Sequence, residues 1–237
     1  SIWSLILNSL RRPANVGKYF VSMITKTDIS FMGRAIKLAE NAAFSARPNP
    51  HVGCVLVRDD KVIGEGYTSL PGGNHAEIQA LKAAGDVRDA TAYVTLEPCS
   101  HSGLTGPCAD ALIASGISRI FVAMEDPNPL VNGKGLERMR AAGVEVVTGI
   151  LGQQAEALIA GYVSRMRRGR GRIRAKLAMS LDGRTAMQSG ESKWITNEAA
   201  RDDVQVFRAQ SCAIITGVGT VMTDDSQLTV RLRDSDK

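Results

Sequence analysis

An α/β layered fold is what this sequence predicts, and three observations lead to it. Short β-branched runs alternate with stretches of helical spacing, Gly and Pro breakers stand between them, and apolar residues make up 44% of the 237 positions, ample to bury a core. A bundle or a sandwich would lack the alternation.

Helical spacing first appears at Phe31, Ala35, Leu38, Ala39 and Ala42, and Arg47-Pro-Asn-Pro50 breaks it. Residues 52–57 and 62–67 flank Arg58-Asp-Asp-Lys61 and read as a hairpin. A Gly-rich loop at 70–74 leads into a helix over 75–84, closed by Gly85. Residues 92–96 predict a buried strand, and 107–115 a helix with Pro107 near its start and Gly116 after its end. The alternation continues with a strand at 119–124, a helix at 136–142, a strand at 144–147 and one helix over 153–166.

A basic stretch at 165–174 follows, and the pattern then restarts. It gives a strand over 173–179, a turn at Ser180-Leu-Asp-Gly183, a polar loop through Trp194, a helix from Asn197 to Ala209 and a strand over 213–216. The 66 residues from Arg172 to Lys237 hold too few elements to enclose an ordinary core, so this second unit is expected to be cut short.

The chain begins at Ser1 and has no acidic residue before Asp28. Such an acid-poor, Arg- and Ser-containing leader suits a transit peptide, upstream translated sequence or a fragment boundary, with Met23 as a candidate start. The expected organisation is a leader at 1–28, a metal-dependent catalytic unit at 29–168, and a linker with part of a second unit at 169–237.

The formal charge of +5 concentrates at Arg11, Arg12 and along 165–174. Without interleaved aromatics that run reads as a solvated linker and not a nucleic-acid groove, while a phosphorylated small substrate suits the mild bias. No apolar run reaches the roughly 20 residues of a membrane span, so neither nucleic acid nor membrane is an expected partner. A homo-oligomer is compatible with the sequence. Four cysteines, Cys54, Cys99, Cys108 and Cys212, argue for a reducing compartment, the cytoplasm, and for metal over disulfides.

His75-Ala-Glu77 stands near a helix start, Pro98-Cys99 at a strand end and Pro107-Cys108 at the next helix start. One imidazole and two thiolates complete the protein set of a catalytic zinc site, which keeps its fourth position open. A thiolate at a helix N-terminus is further favoured by the unpaired N–H groups there. Glu77, two residues after the histidine, is placed to stand beside the metal without binding it and to carry protons, since zinc lowers the pKa of water towards about 7. The H-x-E and Pro-Cys combination is the pattern of zinc nucleobase deaminases. The alternative is a closed structural zinc site, for which Cys54, His51 and His101 are the candidate fourth ligands.

Thr95-Leu-Glu-Pro-Cys-Ser-His-Ser-Gly-Leu-Thr-Gly-Pro-Cys108 has eight residues between its cysteines, where the general deaminase pattern has two. With Arg47-Pro-Asn-Pro50, Asp126-Pro-Asn-Pro129 and Gly133-Lys-Gly135, this loop resembles the bifunctional deaminase-reductase family of riboflavin biosynthesis. The resemblance implies a cytidine-deaminase-like α/β/α layered mixed sheet followed by an incomplete dihydrofolate-reductase-like α/β domain. It implies one Zn2+ per chain on His75, Cys99 and Cys108, proton transfer by Glu77, and contacts from Asn49, His101 and Asn128 to a phosphorylated pyrimidine. Asn49 and Asn128, next to prolines, equally suit turn formation. Leu104 stands where the family usually carries Lys or Arg, and Thr68 where many members carry His.

Lys176-Leu-Ala-Met-Ser-Leu-Asp-Gly-Arg184, Glu191-Ser-Lys-Trp-Ile-Thr196 and Gly217-Val-Gly-Thr220 with Asp224 resemble the start of the family's reductase half. By that resemblance Lys176, Ser192, Arg208, Leu228 and Arg231 match substrate-side positions, and Ala178, Trp194, Thr196, Thr220 and Asp224 match NADPH-side or catalytic-side positions. The reduction itself is expected of the intact parent and not of this chain. Competing readings are a nucleoside or tRNA-type zinc deaminase, which would need a short inter-cysteine loop or a basic aromatic groove, and a non-catalytic zinc-stabilised module.

Overall fold

Thr25 and Asp28 cap each other at the start of helix α1 (Lys26–Glu40) in the computed structural model, which describes residues 24–101 and 106–232. The Thr25 hydroxyl accepts from the Asp28 amide at 3.1 Å, and the Thr25 amide donates to the Asp28 carboxylate at 2.7 Å, a reciprocal cap that satisfies two otherwise orphaned donors. Met32, Ala35 and Ala39 are buried along one face of α1, as the helical spacing of the sequence requires.

The expected hairpin forms from β1 (Gly53–Arg58) and β2 (Lys61–Tyr67), with Asp59 and Asp60 both in the left-handed region at its turn. Helix α2 (Ala76–Ala84) follows the Gly-rich loop, then β3 (Thr91–Val94), α3 (Cys108–Ala114), β4 (Arg119–Val122), α4 (Lys134–Ala141) and β5 (Glu145–Thr148). One mixed sheet results, in the order β2-β1-β3-β4-β5: β1 is antiparallel to β2 and β3, while β3, β4 and β5 run parallel. The parallel half is dictated by the helices that separate its strands, since a parallel neighbour needs a crossover and a tight turn gives an antiparallel one. Cys54, Val55, Leu56, Ala92, Val94 and Ile120 are fully buried at the centre of this sheet.

Two glycines let helices approach the strand ends. A Cβ on Gly66 of β2 would stand 2.3 Å from the Ala76 carbonyl, so α2 can sit on the hairpin only where that side chain is missing. A Cβ on Gly135 would meet the Pro98 carbonyl at 2.2 Å, which likewise brings α4 against the loop that carries Cys99.

Three expectations need correction. The single helix over 153–166 is two, α5 (Gly152–Leu158) and α6 (Ala160–Arg168), broken at Ile159, whose backbone leaves the helical range. Ala155, Ile159 and Val163 are all buried. The strands expected at 173–179 and 213–216 do not form among the described residues, and Ile173, Leu177 and Ile215 are exposed. A lone β-branched run has no ladder partner for its backbone groups, so propensity by itself does not make a strand. Gly217 instead precedes a helix, α8 (Val218–Asp224), which the sequence reading lacked; the helix expected from Asn197 is found as α7 (Glu198–Ala209), with the Asn197 side chain capping Ala200 at 2.9 Å. No apolar side chain between 172 and 232 is buried. Among the described residues no helix is long and apolar enough to cross a membrane.

Candidate active site

The carboxyl ends of β3 and β4 and the start of α2 converge on one cavity of about 360 Å³. His75 is the N-cap of α2, Cys99 lies in the loop after β3, and Cys108 is the first residue of α3. His75 Nδ1 stands 3.7 Å from the Cys99 sulfur and 3.2 Å from the Cys108 sulfur, and the Cys108 amide donates to the Cys99 sulfur at 3.3 Å. The three donor atoms lie within 4.8 Å of one another. A single ion can therefore reach all three, and one imidazole with two thiolates is a donor set suited to zinc.

The electrostatics agree with such a site. Hydrogen bonding from the Cys108 thiol, then from His75, holds the Cys99 thiol well below its ordinary pKa against the opposing effect of burial, so Cys99 is ready to be a thiolate. The proton retained between the two sulfurs and burial push Cys108 upward. The Cys99 hydrogen bond raises His75.

Glu77, the second residue of α2, is 3% exposed, and burial pushes its carboxyl up to about 7, with the nearby Cys99 adding to the rise. Its Oε2 is buried without a hydrogen-bond partner, although it lines the cavity beside His75 and Cys99. An unpaired buried oxygen of this kind is costly unless something placed in the cavity uses it.

Of the candidate fourth ligands, none joins the group: among the described residues the metal-binding cluster contains His75, Cys99 and Cys108 only. Cys54 is fully buried in β1, where burial raises its thiol well above the ordinary value. His51 is not a lining residue of the cavity, and burial lowers its pKa; His101 lines the cavity without entering the cluster.

Asn49, His101 and Asn128 all line the same cavity as His75, Cys99 and Glu77. Asn128 also makes the turn that its neighbouring prolines suggest, its side chain accepting from the Leu130 amide at 3.1 Å. Thr68 is on the wall too, buried, accepting from the Val52 amide at 2.9 Å. Leu104 lies outside the described residues.

Glu97 and Asp126 appear in the sequence motifs without a role, and the structure gives them one. The buried Glu97 carboxylate accepts from the amides of Asp126 at 3.1 Å, Gly133 at 2.9 Å and Gly135 at 2.9 Å, tying the loops after β3 and β4 to the start of α4. Asp126 accepts from the Asn128 amide at 2.9 Å and from the Tyr162 hydroxyl at 2.8 Å; burial, the largest cause, leaves its carboxyl above the ordinary value despite these bonds. Tyr162, Arg165 and Met166 of α6 complete the wall. Their spacing of three and four places them on one helix face, a signal hidden in the sequence by the basic run around them.

The positions expected to serve a reductase are only partly assembled. Arg208 donates to the Thr229 carbonyl at 3.0 Å, and the Arg231 amide donates to Gln205 at 3.0 Å, so α7 holds Arg208, Leu228 and Arg231 close together. Lys176 and Ala178 lie in the segment without helix or strand before the turn at Gly183. Ser192, Trp194 and Thr196 lie in the loop before α7, with the exposed Trp194 ring covered by Arg201 at 4.5 Å. Thr220 and Asp224 are on α8.

Residues 25–124 match the cytidine and deoxycytidylate deaminase zinc-binding region, and residues 172–237 match the RibD C-terminal domain. Among curated proteins, the riboflavin biosynthesis protein RibD of Escherichia coli K12 is 54% identical over 211 residues, covering 89% of this chain and 58% of that protein. The RibD protein of Haemophilus influenzae is 51% identical over 205 residues, covering 86% of this chain and 55% of that protein. Among solved structures, Acinetobacter baumannii RibD superimposes with a TM-score of 0.83 at 52% identity, covering 88% of this chain and 59% of that one. A Thermotoga maritima diaminohydroxyphosphoribosylaminopyrimidine deaminase/5-amino-6-(5-phosphoribosylamino)uracil reductase also gives 0.83, at 40% identity and covering 88% and 60%. The chain thus spans less than two thirds of the length of these relatives.

Proposed function

This chain belongs to the RibD family of riboflavin biosynthesis, and on that premise we propose that it catalyses the hydrolytic deamination of 2,5-diamino-6-(5-phosphoribosylamino)pyrimidin-4(3H)-one to 5-amino-6-(5-phosphoribosylamino)uracil. The observation that carries the reading is the buried, unpartnered Glu77 oxygen in the same cavity as a three-donor metal cluster.

His75, Cys99 and Cys108 hold zinc in this reading, and the ion, when bound, supplies the Lewis acidity that makes water reactive near neutral pH. Glu77 accepts a proton from the attacking water and gives it to the ring nitrogen, then takes the second proton of that same oxygen and passes it to the amino group, which leaves as ammonia while the carbonyl forms. Its burial favours the protonated form and so makes it able to give the proton back. Asn49, His101 and Asn128 hydrogen-bond the pyrimidine edge and fix the ring against the metal cluster.

The deaminase unit is assigned to 29–168, with its helix cap beginning at Thr25, and the linker and reductase-like segment to 169–237. Lys176, Ser192, Arg208, Leu228 and Arg231 are assigned to the substrate side of the reductase-like segment. Ala178, Trp194, Thr196, Thr220 and Asp224 are assigned to its NADPH side, the reduction being an activity of the full-length family. A free pyrimidine phosphate is the favoured substrate over nucleic acid, because the described residues of the cavity wall offer one Lys or Arg side chain and no row of stacking aromatics. Metal-binding thiolates suit a reducing cytoplasm.

Glu77→Gln is the test. Ammonia release from the diaminopyrimidine phosphate should fall by about 10²- to 10⁴-fold while zinc content stays at the wild-type level. Unchanged ammonia release would remove Glu77 from the mechanism.

A further inference from the structure

Arg165 is the single Lys or Arg among the described residues that line the cavity. The segment 102–105, Ser-Gly-Leu-Thr, adds no charged side chain to the loop between the cysteines. Arg165 lies on α6 with its guanidinium carbon 5.8 Å from the centroid of the Tyr162 ring. That ring is itself fixed, because its hydroxyl is engaged by Asp126 at 2.8 Å. Arg167, further along the helix, pairs with Glu156 at 2.9 Å, whereas none of the ion pairs among the described residues uses Arg165.

The cavity is therefore polarised. Its buried part carries the carboxyl groups of Glu77 and Asp126, 3% and 6% exposed, and its outer wall carries an exposed guanidinium held over an aromatic face. A substrate with a neutral ring and a phosphate tail has one favourable orientation in such a field, with the ring inward and the phosphate at the arginine. The planar fork of an arginine suits two phosphate oxygens at once.

We propose that Arg165 binds the phosphate of the substrate and makes the cavity select a phosphorylated pyrimidine over the dephosphorylated one. This rests on the deaminase reading above.

The test compares Arg165→Ala, Arg165→Lys and a control, Arg168→Ala, in the full chain. For Arg165→Ala the KM of the phosphorylated substrate should rise about 10- to 100-fold, with kcat and the KM of the dephosphorylated substrate within about twofold of wild type. Arg165→Lys should fall between the two, and Arg168→Ala should match wild type. Calorimetric binding of ribose 5-phosphate, and inhibition by inorganic phosphate, should be lost in Arg165→Ala with zinc content unchanged. Equal KM rises for both substrates, or the same effect in Arg168→Ala, would overturn the assignment in favour of packing or diffuse charge. Ribose 5-phosphate binding that depends on Arg165 in a chain that releases no ammonia would uphold the anion site and refute the deaminase reading alone.

Discussion

His75 Nδ1 and the Cys108 sulfur lie 3.2 Å apart although 33 positions separate them, one at the start of α2 and the other at the start of α3. Two helices that start at the same point hold a metal site more firmly than two loops would, because their backbones are fixed by their own hydrogen bonds. Replacing His75 by Ala, or Cys99 or Cys108 by Ser, is expected to weaken zinc by more than the roughly 10- to 100-fold that loss of an outer-shell partner costs. Metal analysis after dialysis should find about one zinc in the wild type and little in each variant. Chelation should lower the unfolding temperature of the wild type more than theirs.

Gly66→Ala is expected to destabilise the chain by about 1–3 kcal/mol, because the added methyl group would press on the Ala76 carbonyl and on the Gln79 side chain at 2.5 Å. Ala76 follows the proposed ligand His75, so zinc affinity should fall together with the midpoint of chemical denaturation. Denaturation with and without chelator separates the two effects.

Glu97→Gln keeps the shape of the side chain but turns an acceptor oxygen into an amide donor that must face a backbone N–H. Three amides depend on that carboxylate, so a loss of about 1–3 kcal/mol is expected. Asn128 lies just after Asp126 in the tethered loop, so the KM for the pyrimidine should rise while zinc content is retained. Steady-state kinetics with parallel metal analysis would read this.

Asp28 gives a pH dependence remote from the metal. Burial, the largest single cause, raises its carboxyl, but hydrogen bonds from the Thr25 hydroxyl, the Tyr93 hydroxyl at 2.7 Å and the Thr25 amide together bring it below the ordinary 3.8. A carboxyl whose folded pKa is depressed contributes stability that is present above its unfolded pKa and lost as pH falls through the folded value. The stability gap between wild type and Asp28→Asn should therefore be full near neutral pH and close as the pH drops below about 3.8. Urea denaturation across the acid limb would show it, and a gap independent of pH would refute it.

Much of this was readable in the chain. The alternation of β-branched runs with helical spacing predicted all five strands of the sheet, because strands paired in a sheet and helices with one apolar face leave periodic traces. The same logic misplaced 173–179 and 213–216, where the β-branched pattern is present but no partner strand lies alongside. The break at Ile159 was likewise invisible, since the apolar spacing of one long helix and of two bent ones is nearly the same.

By itself the sequence determined the chemistry: one imidazole, two thiolates and a carboxyl group in a pattern that few other functions use, with helix and strand periods that put each at the end of an element. Only the tertiary structure decided which remote groups join them. That Tyr162 reaches Asp126 and that Glu97 holds two loops together are contacts across 36 and up to 38 positions of chain, and Arg165 stands at a cavity that it shares with Pro48, 117 positions earlier. Local propensity carries no record of such distances, because they follow from how α6 and the parallel strands pack, and packing is a property of the whole folded chain.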